Sequence, residues 1–170
     1  MAQLSHEQTQ FESKQFPISI VTDGLQSPAN IGGILRLMEA FGVGELFLCE
    51  SPVDLNSSRL KRTARSTERA ITIHSFDTTL NALEHITNKA PNTQIIALEI
   101  TTNSIPLAQL VLDSSAPIAL ILGGESQGVS PEVLARCHLA THIPMYGNNS
   151  SMNVAQATAI ALYSISQQLL

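Results

Sequence analysis

Three signals follow one another in residues 118–170 and decide how the chain is read. The first, Ile118-Ala119-Leu120-Ile121-Leu122-Gly123-Gly124-Glu125-Ser126-Gln127-Gly128, is an apolar run ending in a glycine loop. The second, Thr141-His142-Ile143-Pro144-Met145-Tyr146, is a short run into a proline. The third, Asn148-Asn149-Ser150-Ser151-Met152-Asn153-Val154-Ala155, is a polar turn that opens an apolar helix. An unbroken apolar run bounded by turn residues reads as a strand buried on both faces. Two strand-to-turn loops this close in sequence can wrap one ligand between them. Their residues are small or amide-bearing and offer backbone groups and uncharged hydrogen bonds. That suits a small, partly apolar cofactor and suits a metal ion or a triphosphate poorly.

Upstream, residues 16–21 are a strand-type run closed by the turn Asp23-Gly24. Asn30 is a candidate helix N-cap, with Ile31, Ile34, Leu35, Met38 and Phe41 at helical spacing and Gly42 as the stop. Residues 46–49 read as a second strand, 56–69 as a helical loop, 71–73 as a short strand and 80–89 as a helix stopped by Pro91. Strands follow at 94–99 and 118–122, then a helix at 131–137, a short strand at His142-Ile143 and a last helix at 153–169. Strands alternating with helices predict an α/β fold, a mostly parallel sheet flanked by helices. No repeat or linker divides the chain, so residues 16–170 are expected to form one domain behind a polar N-terminal arm, 1–15.

The chain is 44% hydrophobic and 14% charged, which fits a well-buried sheet. Its formal net charge of −5 rules out overall attraction to a polyanion, so nucleic acid would need a local basic patch. Cys49 and Cys137 lack CxxC spacing and read as free thiols of a reducing compartment. With neither a signal-like start nor an apolar run of spanning length, a cytoplasmic location is expected.

Two further constellations bear on chemistry. In Asn30-Ile31-Gly32-Gly33-Ile34-Leu35-Arg36, glycines inside a helix each cost about 1 kcal/mol relative to Ala, so something should approach the backbone there, with Arg36 beside it. Arg59, Lys61, Arg62, Arg65 and Arg69 hold five of the nine Lys and Arg residues. Lys61, Arg65 and Arg69 would form one stripe if the segment were a continuous helix, a local footprint for phosphates. Cys137, His138 and His142 are not expected to bind a metal, because four residues along a strand span roughly 13 Å. The last helix is apolar nearly all round, and a second subunit is expected to cover part of it.

Taken in order, the three motifs Asn30–Arg36, 120–130 and Ile143-Pro144-Met145 with Ser151-Met152-Asn153 resemble the SpoU/TrmH family of RNA ribose 2′-O-methyltransferases, in the SPOUT class. Met152 stands where Leu is usual. The resemblance implies a deep trefoil knot at the C-terminus, bound S-adenosyl-L-methionine and a homodimer. It implies cofactor contacts from Leu98, Gly123, Gly124, Gly128, Ile143, Met145, Ser151 and Met152. Arg36 resembles the arginine that helps activate the 2′-OH, contributed by the other subunit. Asn30, Glu125, Ser151 and Asn153 would fix Arg36, the subunit seam and the ribose. The RNA, tRNA or rRNA, would be gripped by the Arg59–Arg69 segment. Two other readings stand beside this one: a non-catalytic RNA-binding dimer of the same fold, and an unrelated α/β protein that prefers ATP or NAD.

Overall fold

A computed structural model describes residues 3–5, 8–9 and 11–170. The N-terminal arm expected over 1–15 therefore lies partly outside the described residues. Seven strands form one sheet: β1 Ile18–Asp23, β2 Glu45–Cys49, β3 Thr72–Phe76, β4 Gln94–Leu98, β5 Ile105–Pro106, β6 Ile118–Gly123 and β7 Leu139–His142. Their order is β3-β2-β1-β6-β4-β7-β5, and every pairing between them is parallel. The helices are α1 Pro28–Ala40, α2 Ser58–Ala64, α3 Thr79–Lys89, α4 Pro131–Leu134 and α5 Val154–Gln168.

β6 is buried at every residue and lies between β1 and β4, which is why its sequence reads as continuous apolar rather than alternating. Successive residues still serve opposite faces. Leu120 and Leu122 join Ile20, Ile34, Leu60, Ile96 and Leu162 under α1, α2 and α5. Ala119 and Ile121 join Val21, Phe47, Leu83, Ile95 and Val133 under α3 and α4. Cys49 and Cys137 are free thiols, and burial pushes them up to about 12 and about 11.

Several boundaries differ from the sequence reading, each for a local reason. The cap of α1 is Ser27, whose hydroxyl accepts the Asn30 N–H at 3.3 Å. That leaves the Asn30 side chain free for longer-range bonds. β7 starts earlier than His142, because the His138 backbone N–H donates to the Ile95 carbonyl and the His138 ring Nδ1 accepts the Ile95 N–H, each at 2.9 Å. β3 runs on to Phe76, and α4 is only one turn long. β5 has two residues, one of them Pro106, too short and too polar in context to stand out; its edge position tolerates the proline. α2 ends at Ala64 because Arg65 takes a left-handed conformation with φ of 52°. Lys61, Arg65 and Arg69 therefore do not share a helical stripe.

Candidate active site

The site is built where three parallel strands end side by side. Asp23 is paired with Gly123, and Leu98 with Leu122, so Asp23, Gly123 and Glu99 stand in a row across the ends of β1, β6 and β4. Beyond Gly123 the chain makes a tight loop in which Gly124 and Gly128 exchange backbone hydrogen bonds of 3.1 and 3.0 Å. A Cβ on Gly123 would collide with the backbone of Gly128 and Val129, and one on Gly124 would come within 2.9 Å of the Gly24 carbonyl. The returning chain is held from both sides. Glu99 Oε2 accepts the Val129 N–H at 2.9 Å, and Asp23 Oδ2 accepts the Ser130 N–H at 2.7 Å. The other Asp23 oxygen accepts the Thr79 hydroxyl at 2.6 Å, tying the row to the start of α3.

From the loop, Glu125 reaches back to the start of α1. Its carboxylate accepts the N–H groups of Gln26 and Ser27 at 3.2 and 3.0 Å and the Asn30 side-chain amide at 3.0 Å. Partial burial opposes its ionisation. The hydrogen bonds from its own backbone, Asn30, Gln26 and Ser27 outweigh that, and hold the carboxyl below its usual range. A carboxylate at a helix N-terminus also meets the favourable end of the helix dipole. The chain of contacts continues: Asn30 Oδ1 accepts the Asn153 amide at 2.9 Å. Asn153 Oδ1 in turn caps α5 through the N–H groups of Ala155 and Gln156, at 2.9 and 3.4 Å.

These loops enclose a cleft of about 570 Å³ at the ends of β6, β4 and β7. Leu98, Gly123, Gly124, Gly128, Ile143, Met145, Ser151 and Met152 all line it, and so do Asn30, Glu125 and Asn153. Apolar walls from Leu98, Leu122, Ile143 and Met145 face a rim of amides, hydroxyls and backbone. Among the described residues its charged lining is Glu99 and Glu125, with no Lys or Arg. His142 also faces the cleft, its Nδ1 2.9 Å from the Ser104 hydroxyl. Among the described residues no cluster of His, Cys, Asp and Glu is placed to hold a metal ion.

Arg36 does not join this assembly within one chain. It is exposed on α1 and is not among the residues lining the cleft. The close approach expected at the two glycines is found at Gly32 alone, and it comes from the chain's own α2. A Cβ on Gly32 would strike Thr63 and the Leu60 carbonyl of α2, and one on Gly33 would lie 3.4 Å from Ala155 of α5. Arg59, Lys61, Arg62, Arg65 and Arg69 are all exposed, spread over α2, its left-handed cap and the turn Thr67–Arg69.

Sequence reasoning missed Asp23 and Glu99 as parts of the site. Each does carry a signal: a carboxylate where an apolar strand of a parallel sheet ends, the edge on which such sheets hold ligands.

Residues 17–163 match the SpoU rRNA Methylase family. A tRNA (guanosine(18)-2′-O)-methyltransferase of Aquifex aeolicus is 28% identical over 158 residues, covering 92% of this chain and 72% of that protein. The chain spans 57% to 61% of the length of several other curated relatives. An AdoMet-bound rRNA methyltransferase from Sinorhizobium meliloti superposes with a TM-score of 0.81 at 25% identity, over 94% of this chain and 59% of that one. A structure described as giving insight into 2-OH methylation of C/U34 on tRNA matches with a TM-score of 0.77 at 26% identity, over 89% of this chain and 95% of that one.

Proposed function

The chain belongs to the SpoU rRNA methylase family, and from that premise we propose that it transfers a methyl group from S-adenosyl-L-methionine to a ribose 2′-OH of tRNA or rRNA. One observation carries the reading: the residues expected to hold the cofactor converge on a single cleft. The donor set fits that cofactor. Apolar walls suit an adenine ring, glycine backbone suits close approach, and a lining with carboxylates and no Lys or Arg suits a sulfonium rather than a triphosphate. The same electrostatics disfavour ATP or NAD as the ligand.

When bound, S-adenosylmethionine supplies a methyl group already activated by the sulfonium. The protein's task is alignment and removal of the hydroxyl proton. Gly123, Gly124 and Gly128 let the loop lie close to the ligand, and Leu98, Ile143 and Met145 exclude water from one side. Glu125, Asn30 and Asn153 lock the glycine loop to the starts of α1 and α5. A guanidinium keeps its proton at neutral pH, so Arg36 acts as an electrostatic stabiliser rather than a base. It binds the phosphate beside the target ribose and stabilises the developing alkoxide as the 2′-OH proton passes to solvent water while the methyl group moves from sulfur to oxygen. Ser151, exposed at the cleft rim, orients the ribose by hydrogen bonding.

Arg36 lies outside the cleft of its own chain, so the site calls for a second copy to deliver it. A homodimer joined through α1 and α5 supplies one. Ile160 and Tyr163 of α5 are 42% and 60% exposed, which gives that surface an apolar character. Residues 16–170 act as one methyltransferase domain in the cytoplasm, with the C-terminal segment threaded as a trefoil knot. RNA is held by Arg59, Lys61, Arg62, Arg65 and Arg69, doubled by the dimer.

The test is direct. The protein is incubated with methyl-labelled S-adenosylmethionine and total tRNA or rRNA, and the modified ribose is mapped. Label in a 2′-O-methylnucleoside is expected. Specific RNA binding without any label would favour the non-catalytic RNA-binding dimer.

A further inference from the structure

On the reading that the cleft takes S-adenosylmethionine, we propose that Glu99 is a positioning residue that sets the glycine loop for this cofactor and thereby governs cofactor affinity. Glu99 follows the last residue of β4 and stands level with Gly123 on the neighbouring strand. Both of its oxygens are used. Oε1 accepts the Ile100 N–H and Oε2 the Val129 N–H, each at 2.9 Å. A carboxylate has only acceptors, so two backbone donors fix it in one orientation. Its head also fills the space beside Gly128: a Cβ at Gly128 would collide with the Glu99 carboxylate. The side chain therefore sets how far the loop can close over the end of its own strand.

Asp23 does a similar job for the next amide, Ser130, but from a buried position that does not line the cleft. This division separates the two carboxylates by role. Without Glu99, the far end of the loop stays pinned by Asp23 and the near end by Glu125. Only the segment between them, which forms one wall of the cleft, is released. Loss of Glu99 should thus loosen the cofactor's wall and leave the fold, the RNA-binding segment and Arg36 as they were.

The experiment compares wild type, Glu99→Ala and Glu99→Gln. Calorimetry gives the Kd for S-adenosylmethionine, initial rates give KM and kcat, and RNA affinity is measured without cofactor. A charge-assisted hydrogen bond to a backbone donor is worth about tenfold in affinity. Glu99→Ala should raise Kd and cofactor KM about tenfold or more. Glu99→Gln, which keeps one acceptor oxygen and the side-chain volume, should recover part of the loss. kcat at saturating cofactor and RNA affinity should stay within about threefold of wild type, less than the loss of one such bond. An unchanged Kd in a folded variant, or a fall in kcat with KM unchanged, overturns the assignment. If Glu99→Ala does not fold, Glu99→Gln decides by the same criteria. A wild-type protein that binds no S-adenosylmethionine overturns the functional reading itself, before any variant is compared.

Discussion

The glycine loop and the Arg36 surface lie on neighbouring parts of the same fold and are finished to different degrees. Around the loop, Glu99, Asp23 and Glu125 each spend their oxygens on named backbone, amide or hydroxyl donors, and Gly123 has no room for a methyl group. Arg36 and the basic residues from Arg59 to Arg69 are exposed, and among the described residues only Lys61 of this set has a side-chain hydrogen bond, to Asn56 at 3.2 Å. The difference teaches where one chain is sufficient. The residues proposed to hold the cofactor are tied together within a protomer, whereas those proposed to meet RNA stand exposed on it.

The sharpest way to break this comparison is Arg36→Ala. If Arg36 acts only on the RNA side, kcat should fall by about 10²–10³-fold, the usual loss for a transition-state charge stabiliser. S-adenosylmethionine affinity by calorimetry should not change. A matching loss of cofactor affinity would place Arg36 in the finished half. The reciprocal change is Gly123→Ala. Its methyl group must push the backbone of Gly128 and Val129 aside, so thermal denaturation should show a loss of about 1–3 kcal/mol. Cofactor binding should collapse while RNA affinity persists. Retained cofactor binding would show the loop to be more compliant than its contacts suggest.

A smaller effect is expected from replacing Arg59, Lys61 and Arg62 together with Ala. RNA affinity at low salt should weaken, and the slope of log K against log salt should become shallower by about 2–3, one unit per lost phosphate contact. An unchanged slope would move the RNA surface elsewhere. The smallest effect concerns pH. The native carboxyl of Glu125 titrates below its ordinary value of 4.5. Its contribution is therefore complete above that value and is lost as pH falls through the lower native one. Glu125→Gln should flatten the acid limb of Tm against pH and leave neutral behaviour nearly parallel. Because Glu125 is exposed, solvent screens the contribution and the change is modest.

How much of this was legible follows the same division. The apolar run at β6, the helical spacing of Ile31, Ile34, Leu35 and Met38, and the glycine loop are local patterns, and they placed the sheet centre, α1 and the cleft. β5 escaped because two residues carry no periodicity. The stripe of Lys61, Arg65 and Arg69 failed because helical spacing says nothing about a left-handed residue at position 65. Gly32 correctly announced a close neighbour, but composition could not say that it would be α2, and Gly33 has only ordinary contact with Ala155 of α5. Asp23 and Glu99 were hidden for a different reason. Their role depends on which strands flank β6, and strand order is a property of the whole chain.

That dependence has a consequence for the protein's birth. Glu125 meets Gln26 and Ser27 across 99 and 98 residues of chain, and Asn153 meets Asn30 across 123. Contacts that distant reward the chain only after long loops have closed. During synthesis, the chain must leave the ribosome at least through Asn153 before these contacts can close around the cleft. S-adenosylmethionine would then recognise only molecules folded through that segment, and by mass action it would protect those from degradation while the others stay exposed to proteases.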